Sequence, residues 1–247
     1  MIKNEEITKI SEILINPTSN NLMYGFDNMS KALQSKLRLE TIQENIILSD
    51  HFLALSEYLE LNRAKNPESL STIFKKKINI TPSIEEIAET LFHNNKNIFQ
   101  NPLNGEKGIK TKYGIVSLRV PNSIYQSIIA LSFGKNICEI GPGLGRAAYF
   151  STLLGATKYT LVDIPISSIV QGHYLIQCFN RSDVCLNNEK YKDQKFQLML
   201  PSSFFSSENT YDLVINVDSL TEIDKGTAKK YLNKITKSSK FFLSINH

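Results

Sequence analysis

The second half of the chain alternates between short apolar runs and longer segments with helical spacing. The apolar runs fall at residues 136–140, 159–163, 196–200, 212–216 and 241–246. Short runs of this kind are typical of strands that are buried on both faces of a sheet. Three- and four-residue spacing between the runs predicts helices over residues 146–154, 169–179 and 227–236. The alternation predicts an α/β fold with a doubly wound, mostly parallel sheet, in which ligands bind at the carboxyl ends of the strands.

The first hundred residues show only the helical spacing. Apolar side chains at mostly three- and four-residue steps predict helix from about Met29 to Leu61. Pro67 and Pro82 mark the starts of two further helices, because proline is favoured in the first helical turn. We therefore expect a helical region over residues 1–107 that forms a cap over a substrate site. A homodimer interface is the competing interpretation of its apolar stripes.

Between these two parts, turn residues predict a loop over residues 100–108. A hairpin should follow, with strands at 108–112 and 115–120 that turn at Tyr113 and Gly114, and then a helix over 123–131. We expect residues 108–247 to form the ligand-binding domain, with the hairpin leading into it.

Composition and charge restrict the class of protein more than they define it. The formal net charge is only +4, and 5 of the 28 basic residues are arginine. Because arginine is the preferred side chain for reading phosphates and bases, we expect no nucleic-acid partner. No apolar run approaches the roughly 18 residues that a membrane span needs, and the N-terminus lacks the pattern of a signal peptide. Three cysteines without a CxxC pair indicate reduced thiols in a cytoplasmic protein.

A glycine loop carries the strongest functional signal. The apolar run 136–140 leads into Gly141-x-Gly143-x-Gly145, a predicted helix follows at once, and the next apolar run ends in Asp163. Glycines permit a tight turn and let the backbone approach a ligand. An acid after the second strand is placed to accept hydrogen bonds from a ribose diol. The order of strand, loop, helix, strand and acid predicts a nucleotide-type ligand.

The spacing of the glycines separates the classes of nucleotide. The dinucleotide fingerprint G-x-G-x-x-G would need its third glycine at position 146, which is Arg146. The Gly-Lys-Ser/Thr sequence of a phosphate-binding loop does not follow the glycines. The loop therefore disfavours a nicotinamide-dependent oxidoreductase and a nucleoside triphosphatase.

The segment 138–145, Cys-Glu-Ile-Gly-Pro-Gly-Leu-Gly, resembles motif I of class I S-adenosylmethionine-dependent methyltransferases. Segments 139–146, 159–165 and 216–222 are similar to a bacterial family of sugar O-methyltransferases, as is the closing 243–247. The resemblance covers roughly the last half of the chain. A complete sheet of this class has two more strands after the fifth. Because the last apolar run of this sequence, 241–246, corresponds to the fifth strand, we expect its sheet to lack those two.

The resemblance implies S-adenosyl-L-methionine as the cofactor and assigns residues to it. Glu139 and the backbone of the glycine loop would hold the amino-acid end and the sugar, Asp163 would hold the ribose hydroxyls, and Ile164 would flank the adenine. Ser203 and Phe204 would lie at the adenine edge, and Asn216 would reach the same end of the sheet. The implied cofactor-binding residues are Glu139, Gly141, Gly143, Gly145, Asp163, Ile164, Ser203, Phe204 and Asn216.

Methylation of a hydroxyl requires a base in addition to correct positioning of the reactants. Asp218 follows the fourth strand and is our first candidate for a catalytic or substrate-binding residue, although Asp218 and Ser219 could equally cap the next segment. His247 follows the fifth strand and is a second candidate, because an unperturbed histidine has a pKa of about 6.5. No spacing of side chains is diagnostic of a metal site, and we predict none.

The predicted function is O-methylation of a sugar, or of a nucleotide-linked sugar, in surface-glycan biosynthesis. Two alternatives stay open. One is methylation of another small molecule, because the cofactor motif carries no information about the acceptor. The other is a catalytically inactive module that keeps the cofactor fold.

Overall fold

The computed structural model of the chain describes residue 12 and residues 41–61, 84–93, 98–99 and 108–246. Its contacts divide the chain into two compact units. One unit comprises residues 37–100 and 107–122, and the other comprises residues 1–36, 101–106 and 123–247. This grouping places the hairpin with the helices, whereas the sequence-based division at residue 107 joined it to the sheet. That division remains a prediction of domain organisation.

Among its described residues, the first of these units has the helices α1 (Thr41–Tyr58) and α2 (Ile84–Phe92) and a hairpin of β1 (Ile109–Thr111) and β2 (Gly114–Val116). Helix α1 buries Leu48, Phe52 and Leu55, which lie at four- and three-residue steps, whereas Ile46 and Ile47 of the predicted apolar stripe are exposed. The helix predicted to begin at Pro67 lies outside the described residues, as does the part of the helix predicted from Met29 that precedes residue 41. None of the described helices combines the length and apolar character needed to cross a membrane.

The hairpin is shorter than predicted. Its strands pair antiparallel from Ile109 with Val116 to Thr111 with Gly114, so the turn lies at Lys112 and Tyr113. The second strand, predicted to run to residue 120, ends at Val116, so its predicted part over 117–120 is wrong. Helix α3 (Val120–Phe133) begins at the last of these residues. Pro121 in its first turn has no N–H to donate to a strand ladder, and it suits the start of a helix instead.

The second unit is built on a six-stranded parallel sheet, and the predicted doubly wound α/β fold is confirmed. Its elements are β3 (Asn136–Ile140), α4 (Arg146–Leu153), β4 (Lys158–Val162), α5 (Pro165–Cys178), β5 (Val184–Cys185), β6 (Phe196–Met199), α6 (Pro201–Ser206), β7 (Tyr211–Val217), α7 (Lys225–Ser238) and β8 (Ser239–Ile245). The five longer strands correspond to the five apolar runs, whereas the two-residue β5 was not predicted.

The strand order β5-β6-β4-β3-β7-β8 defines where a ligand can bind. From β3 the chain proceeds outward through β4 to β6, and then returns to the other side of β3 as β7. The reversal creates a crevice at the carboxyl ends of β3 and β7, which is the ligand site of doubly wound sheets. The connections after β3 and β4 cross the sheet in one direction, and the connection from β7 to β8 crosses it in the other. Because such crossovers are right-handed, α4 and α5 lie on one face of the sheet and α7 lies on the other.

Two helices of this unit begin at prolines that were not predicted to start helices. Helix α5 begins at Pro165 instead of the predicted residue 169, and Pro201, directly after the apolar run 196–200, starts the short helix α6. Proline fits the first helical position because its missing N–H would have no partner inside the helix. Side chains of β3, β4, β6 and β7 pack against α6 and α7 in a core of buried residues: Cys138, Ile140, Val162, Met199, Phe204, Tyr211, Val214, Tyr231 and Ile235.

Candidate functional site

The glycine loop leaves β3 at the sheet crevice in an unusual backbone conformation. Gly141, Gly143 and Gly145 have φ angles of +69°, +56° and +91°. L-residues with a side chain rarely adopt this left-handed region, so all three positions favour glycine. The Gly141 N–H donates to the Val162 carbonyl at 2.9 Å, and the Gly145 N–H closes the turn on the Pro142 carbonyl at 2.9 Å. Helix α4 starts directly after the turn.

The first part of the loop is fixed to β7 by side chains. A Cβ atom on Gly141 would lie 2.3 Å from the Cβ of Ser219, so a side chain at that position has no room. The Ser219 Oγ donates to the Ile140 carbonyl at 2.8 Å, and Asn216 Nδ2 donates to the same oxygen at 3.0 Å. Asn216 is fully buried and its Oδ1 accepts from the Leu220 N–H at 3.3 Å. The Asn216 side chain therefore holds the protein's own backbone together at this edge.

The space beside Gly143 is open. Gly143 is exposed, and a Cβ atom built on it would meet no atom of the described residues within 4 Å. The backbone at this point is accessible without an intervening side chain, as in a loop that approaches a ligand.

Glu139 lies beneath the loop on β3 and is almost completely buried, with 3% of its surface exposed. The Tyr159 hydroxyl, on β4, donates to its Oε2 at 2.7 Å. Burial raises the pKa of Glu139 to about 7, an effect that the Tyr159 hydrogen bond opposes and the negative charge of Asp163 reinforces. A carboxyl group with a pKa near neutrality, enclosed beside a cleft, is a feature that recurs at functional sites.

Asp163 follows β4 and lies within reach of the glycine loop. Its Oδ1 accepts from the Ile164 N–H at 2.8 Å, and its Oδ2 accepts from Nε2 of Gln171 at 2.8 Å. Gln171 Nε2 also donates to the Gly143 carbonyl at 2.8 Å. Burial raises the pKa of Asp163, and these hydrogen bonds oppose that rise. Gln171 therefore joins Asp163 to the glycine loop, and the charge of Asp163 acts on Glu139.

Sequence reasoning missed Gln171, which is fully buried on helix α5. The available signal was its place on the face of α5 that carries Ser167, Tyr174 and Leu175, all of them buried. A glutamine within such a face must find polar partners inside the protein.

Three residues expected around the adenine differ in their accessibility. Ile164 is 55% exposed beside Asp163. Ser203 is half-buried, and its Oγ donates to Asn187 Oδ1 at 3.4 Å. Phe204 has no exposed surface and stacks on Tyr211 and Tyr231 in the core, so any contact with a ligand would have to come from its backbone.

Asp218 is the first residue after β7, at the same edge of the sheet as the glycine loop. It is half-buried with a φ of +60°, and its N–H donates to the Ile245 carbonyl of β8 at 2.9 Å. The competing interpretation was a helix cap. Asp218 precedes the 3-10 turn Ser219–Thr221 without a capping hydrogen bond from its side chain, and the cap of α7 is Asp224, which accepts from the Thr227 N–H at 3.0 Å. His247, the second candidate base, lies outside the described residues.

Arg146 occupies the position where a dinucleotide-binding loop has its third glycine. It is the first residue of α4 and is 6% exposed, and its guanidinium lies 5.8 Å from the centre of the Tyr174 ring. In a dinucleotide-binding loop the third glycine lets the helix pack closely against the strand, whereas here the large side chain of Arg146 is packed at that position. Within the part of the chain that the structure describes, no three side chains of His, Cys, Asp or Glu are grouped as metal ligands.

A second cleft lies at the opposite, amino ends of the strands. Polar side chains line it, among them Asn136, Lys158, Tyr191, Gln197 and Asn209. Lys158 pairs with Asp193 at 2.9 Å, and the Tyr191 hydroxyl donates to the Gln194 carbonyl at 3.0 Å. None of the predicted site residues lines this cleft.

Neither a family model nor a curated protein matches the sequence. Several solved structures align with the chain at TM-scores below 0.4. A Thermoplasma acidophilum protein aligns with a TM-score of 0.38 and 17% identity over 53% of this chain and 61% of its own. A protein described as an O-methyltransferase from Nostoc punctiforme gives 0.39 and 14% over 49% of this chain and 34% of its own. The magnesium protoporphyrin IX methyltransferase of Synechocystis, solved with bound S-adenosylmethionine, gives 0.34 and 13% over 67% and 77%.

This chain thus spans about three fifths of the Thermoplasma protein and about one third of the Nostoc protein. Methyltransferases recur among these structural neighbours. Identities and scores this low assign no activity to the chain.

Proposed function

We propose that the chain binds S-adenosyl-L-methionine at the crevice between β3 and β7 and transfers its methyl group to a hydroxyl of a small molecule. The observation that carries the proposal is the open space beside Gly143, a residue whose carbonyl Gln171 joins to the carboxylate of Asp163. The buried carboxyl group of Glu139 lies on the strand that leads into the same loop. A backbone without a side chain and two acidic groups suit a cationic nucleoside better than a phosphate.

The charges of the site support this choice of ligand. The cofactor carries a sulfonium and an ammonium group, and it has no phosphate that the Asp163 carboxylate would repel. Glu139 would hold the ammonium end from beneath the loop, and Asp163 would accept the ribose hydroxyls on its remaining lone pairs. Ile164, exposed next to Asp163, offers an apolar surface to the adenine ring. When bound, the cofactor supplies an electrophilic methyl group on its sulfonium sulfur.

The remaining residues of the site would prepare the acceptor. Asp218 follows β7 at the same edge and is half-buried, and its side chain would take the proton of the acceptor hydroxyl. Its positive φ supports a functional role, because strained backbone conformations persist where surrounding contacts enforce them and are common in active sites. Asn216 and Ser219 would keep the loop and the start of the Asp218 turn in register.

The finer proposal is that the acceptor is a sugar or a nucleotide-linked sugar. It rests on the similarity of segments 139–146, 159–165 and 216–222 to the sugar O-methyltransferases. The test is a transfer assay with a labelled methyl donor against free sugars, nucleotide sugars and other hydroxylated small molecules. Transfer only to non-sugar acceptors would exclude the sugar and retain the methyltransferase.

Isothermal titration of the full chain with S-adenosylmethionine, S-adenosylhomocysteine and NAD tests the proposal at the level of the ligand. We expect both sulfur nucleosides to bind and NAD to give no heat. Binding of NAD alone would overturn the assignment. Binding of the methyl donor without transfer to any acceptor would instead identify an inactive cofactor-binding module.

Replacement of Asp218 tests the catalytic part. Asp218→Asn should leave the affinity for S-adenosylhomocysteine unchanged and lower kcat by about 10²–10⁴, the usual contribution of a general base. An unchanged kcat would remove Asp218 from the mechanism and leave His247 as the remaining candidate.

A further inference from the structure

Gln171 occupies the centre of the site although no motif includes it. Its Nε2 atom lies 2.8 Å from the Gly143 carbonyl and 2.8 Å from Asp163 Oδ2, so one amide group joins the glycine loop to the acid of the neighbouring strand. The next residue, Gly172, explains how helix α5 comes close enough: a Cβ atom there would meet Leu186 at 3.0 Å. The absence of a side chain at Gly172 lets α5 lie near the sheet and lets Gln171 reach both partners.

The orientation of the Gln171 amide is fixed by its surroundings. Both partners of Nε2 are acceptors, so the reversed amide would place its oxygen against a carboxylate and a carbonyl. In the observed orientation, the Oε1 atom is buried and has no hydrogen-bond partner among the described residues. Buried polar atoms without a partner are rare, and one in a native site calls for a functional reason. Here the two contacts of Nε2 offset the loss at Oε1.

These contacts also act on the charge of Asp163. Its two oxygens receive the Ile164 N–H and the Gln171 amide, and both hydrogen bonds favour the ionised carboxylate against the effect of burial. Loss of the amide would therefore free the Gly143 carbonyl and weaken the ionisation and the orientation of Asp163 at the same time.

We propose that Gln171 is a positioning residue that couples the glycine loop to the diol-binding acid, so that Gly143 and Asp163 hold the nucleoside as a unit. The proposal rests on the proposed function and names a residue on which that site depends. Because the Gln171 side chain is fully buried, it contacts neither the open space beside Gly143 nor the reacting atoms.

The first test is a double-mutant cycle in the full chain, read as affinity for S-adenosylhomocysteine. We expect Gln171→Met to weaken binding by at least tenfold, and to weaken it less than twofold further in a chain that already carries Asp163→Ala. Gln177→Met is the matched control, since Gln177 is an exposed glutamine of the same helix, and it should leave the affinity unchanged. Losses that multiply in the double variant would overturn the coupling, because they would show that Gln171 acts independently of Asp163.

The second test needs no ligand. In protein labelled with ¹³C at the aspartate carboxyl groups, the titration midpoint of Asp163 should move to higher pH in Gln171→Met and stay unchanged in Gln177→Met. An unchanged midpoint in Gln171→Met would contradict the proposal. This readout separates two failures, because a wild-type chain that binds no S-adenosylhomocysteine would refute the proposed function while the titration still decides whether Gln171 acts on Asp163.

Gln171→Glu guards against a Met variant that does not fold. It has the size of glutamine, and it can donate a hydrogen bond only when protonated. Its affinity for S-adenosylhomocysteine should fall relative to wild type as the pH rises through the titration of the new carboxyl group. A constant ratio across that range would contradict a donor role.

Discussion

Two aspartates at opposite ends of the same sheet show how a structural acid differs from one that is available to a ligand. Asp212, at the amino end of β7, accepts from the backbone N–H groups of Lys135 and Asn136 at 3.2 and 3.1 Å and pairs with Lys240 at 2.7 Å. These donors lower its pKa. Asp163, at the carboxyl end of β4, has no cationic partner among its hydrogen bonds, and burial raises its pKa.

The glycines beside these acids differ in the same way. A Cβ atom on Gly134 would lie 2.3 Å from the Cβ of Asp212, so the protein itself fills the space that the glycine leaves. A Cβ atom on Gly143 would meet no described atom within 4 Å. Asp212 thus fills the space at Gly134, whereas the space at Gly143 is open and Asp163 has no cationic partner among its hydrogen bonds. This difference is the physical basis for placing the proposed site at the carboxyl end.

The largest expected effect follows from filling the open space. Gly143→Leu would project a side chain into the proposed ligand position, and we expect the affinity for S-adenosylhomocysteine to fall more than 100-fold. Gly155→Leu is the control, because Gly155 also has a positive φ and open surroundings but lies at the end of α4, away from the loop. Both variants lose roughly 1–2 kcal/mol or more of stability through backbone strain. Normal affinity in Gly143→Leu would contradict the assignment of the open space.

The second effect concerns pH. The pKa of Glu139 is raised from 4.5 to about 7, so its neutral form is favoured by folding. Its contribution to the free energy of unfolding is complete below pH 4.5 and is lost as the pH rises through 7, by about 3 kcal/mol at ~1.4 kcal/mol per unit of pKa. Urea unfolding of the ligand-free chain at pH 5 and pH 8 measures it.

Glu139→Gln should flatten that dependence. Asp212 has the opposite sign: its lowered pKa gives a contribution that is lost as the pH falls. If the wild-type chain and Glu139→Gln show the same slope between pH 5 and 8, the buried acid is not titrating there and the contrast between the two ends is wrong.

The third effect is on binding by the two aspartates. Asp163→Ala should weaken S-adenosylhomocysteine by roughly 1–3 kcal/mol, or about 5- to 150-fold, since it leaves polar ligand groups unpaired. Asp212→Ala should leave the affinity unchanged and lower the free energy of unfolding by about 1 kcal/mol. Calorimetry and urea unfolding of both variants test the pair, and equal affinity losses would dissolve the distinction between them.

The smallest effect sharpens the comparison through two tyrosines. Tyr159→Phe removes the hydroxyl that donates to Glu139, and we expect binding of S-adenosylhomocysteine to weaken by about 1 kcal/mol. Tyr159 and Tyr191 both line the amino-end cleft, but the Tyr191 hydroxyl donates to the Gln194 carbonyl, so Tyr191→Phe should have no effect on the affinity. A larger loss in Tyr191→Phe than in Tyr159→Phe would move the site to the wrong end of the sheet.

The sheet could be predicted because parallel strands that are buried on both faces appear in the sequence as short, continuous apolar runs. Each of the five apolar runs became a strand, and the glycine loop lies between β3 and α4 as expected. Helix starts were less accurate: Pro165 and Pro201 begin helices α5 and α6, but the same residue type also ends strands, and only the tertiary structure distinguishes the two outcomes.

The contacts that shape the site could not be predicted, because they join distant parts of the chain. Ser219 lies 78 residues after Gly141 and fills the space beside it, and Gln171 lies 28 residues after Gly143 and holds its carbonyl. Neither pairing follows from spacing or residue type alone. The sequence could place acids and glycines at the carboxyl ends of strands, whereas the packing of α5 and the turn after β7 decides which side chains fix them.

The most direct test of the central claim is a crystal structure of the chain with S-adenosylhomocysteine. The account predicts the nucleoside in the space beside Gly143, with its ribose hydroxyls within hydrogen-bond distance of Asp163 and its amino group near Glu139. A nucleoside bound in the amino-end cleft, or a side chain filling the space beside Gly143 in the complex, would contradict it.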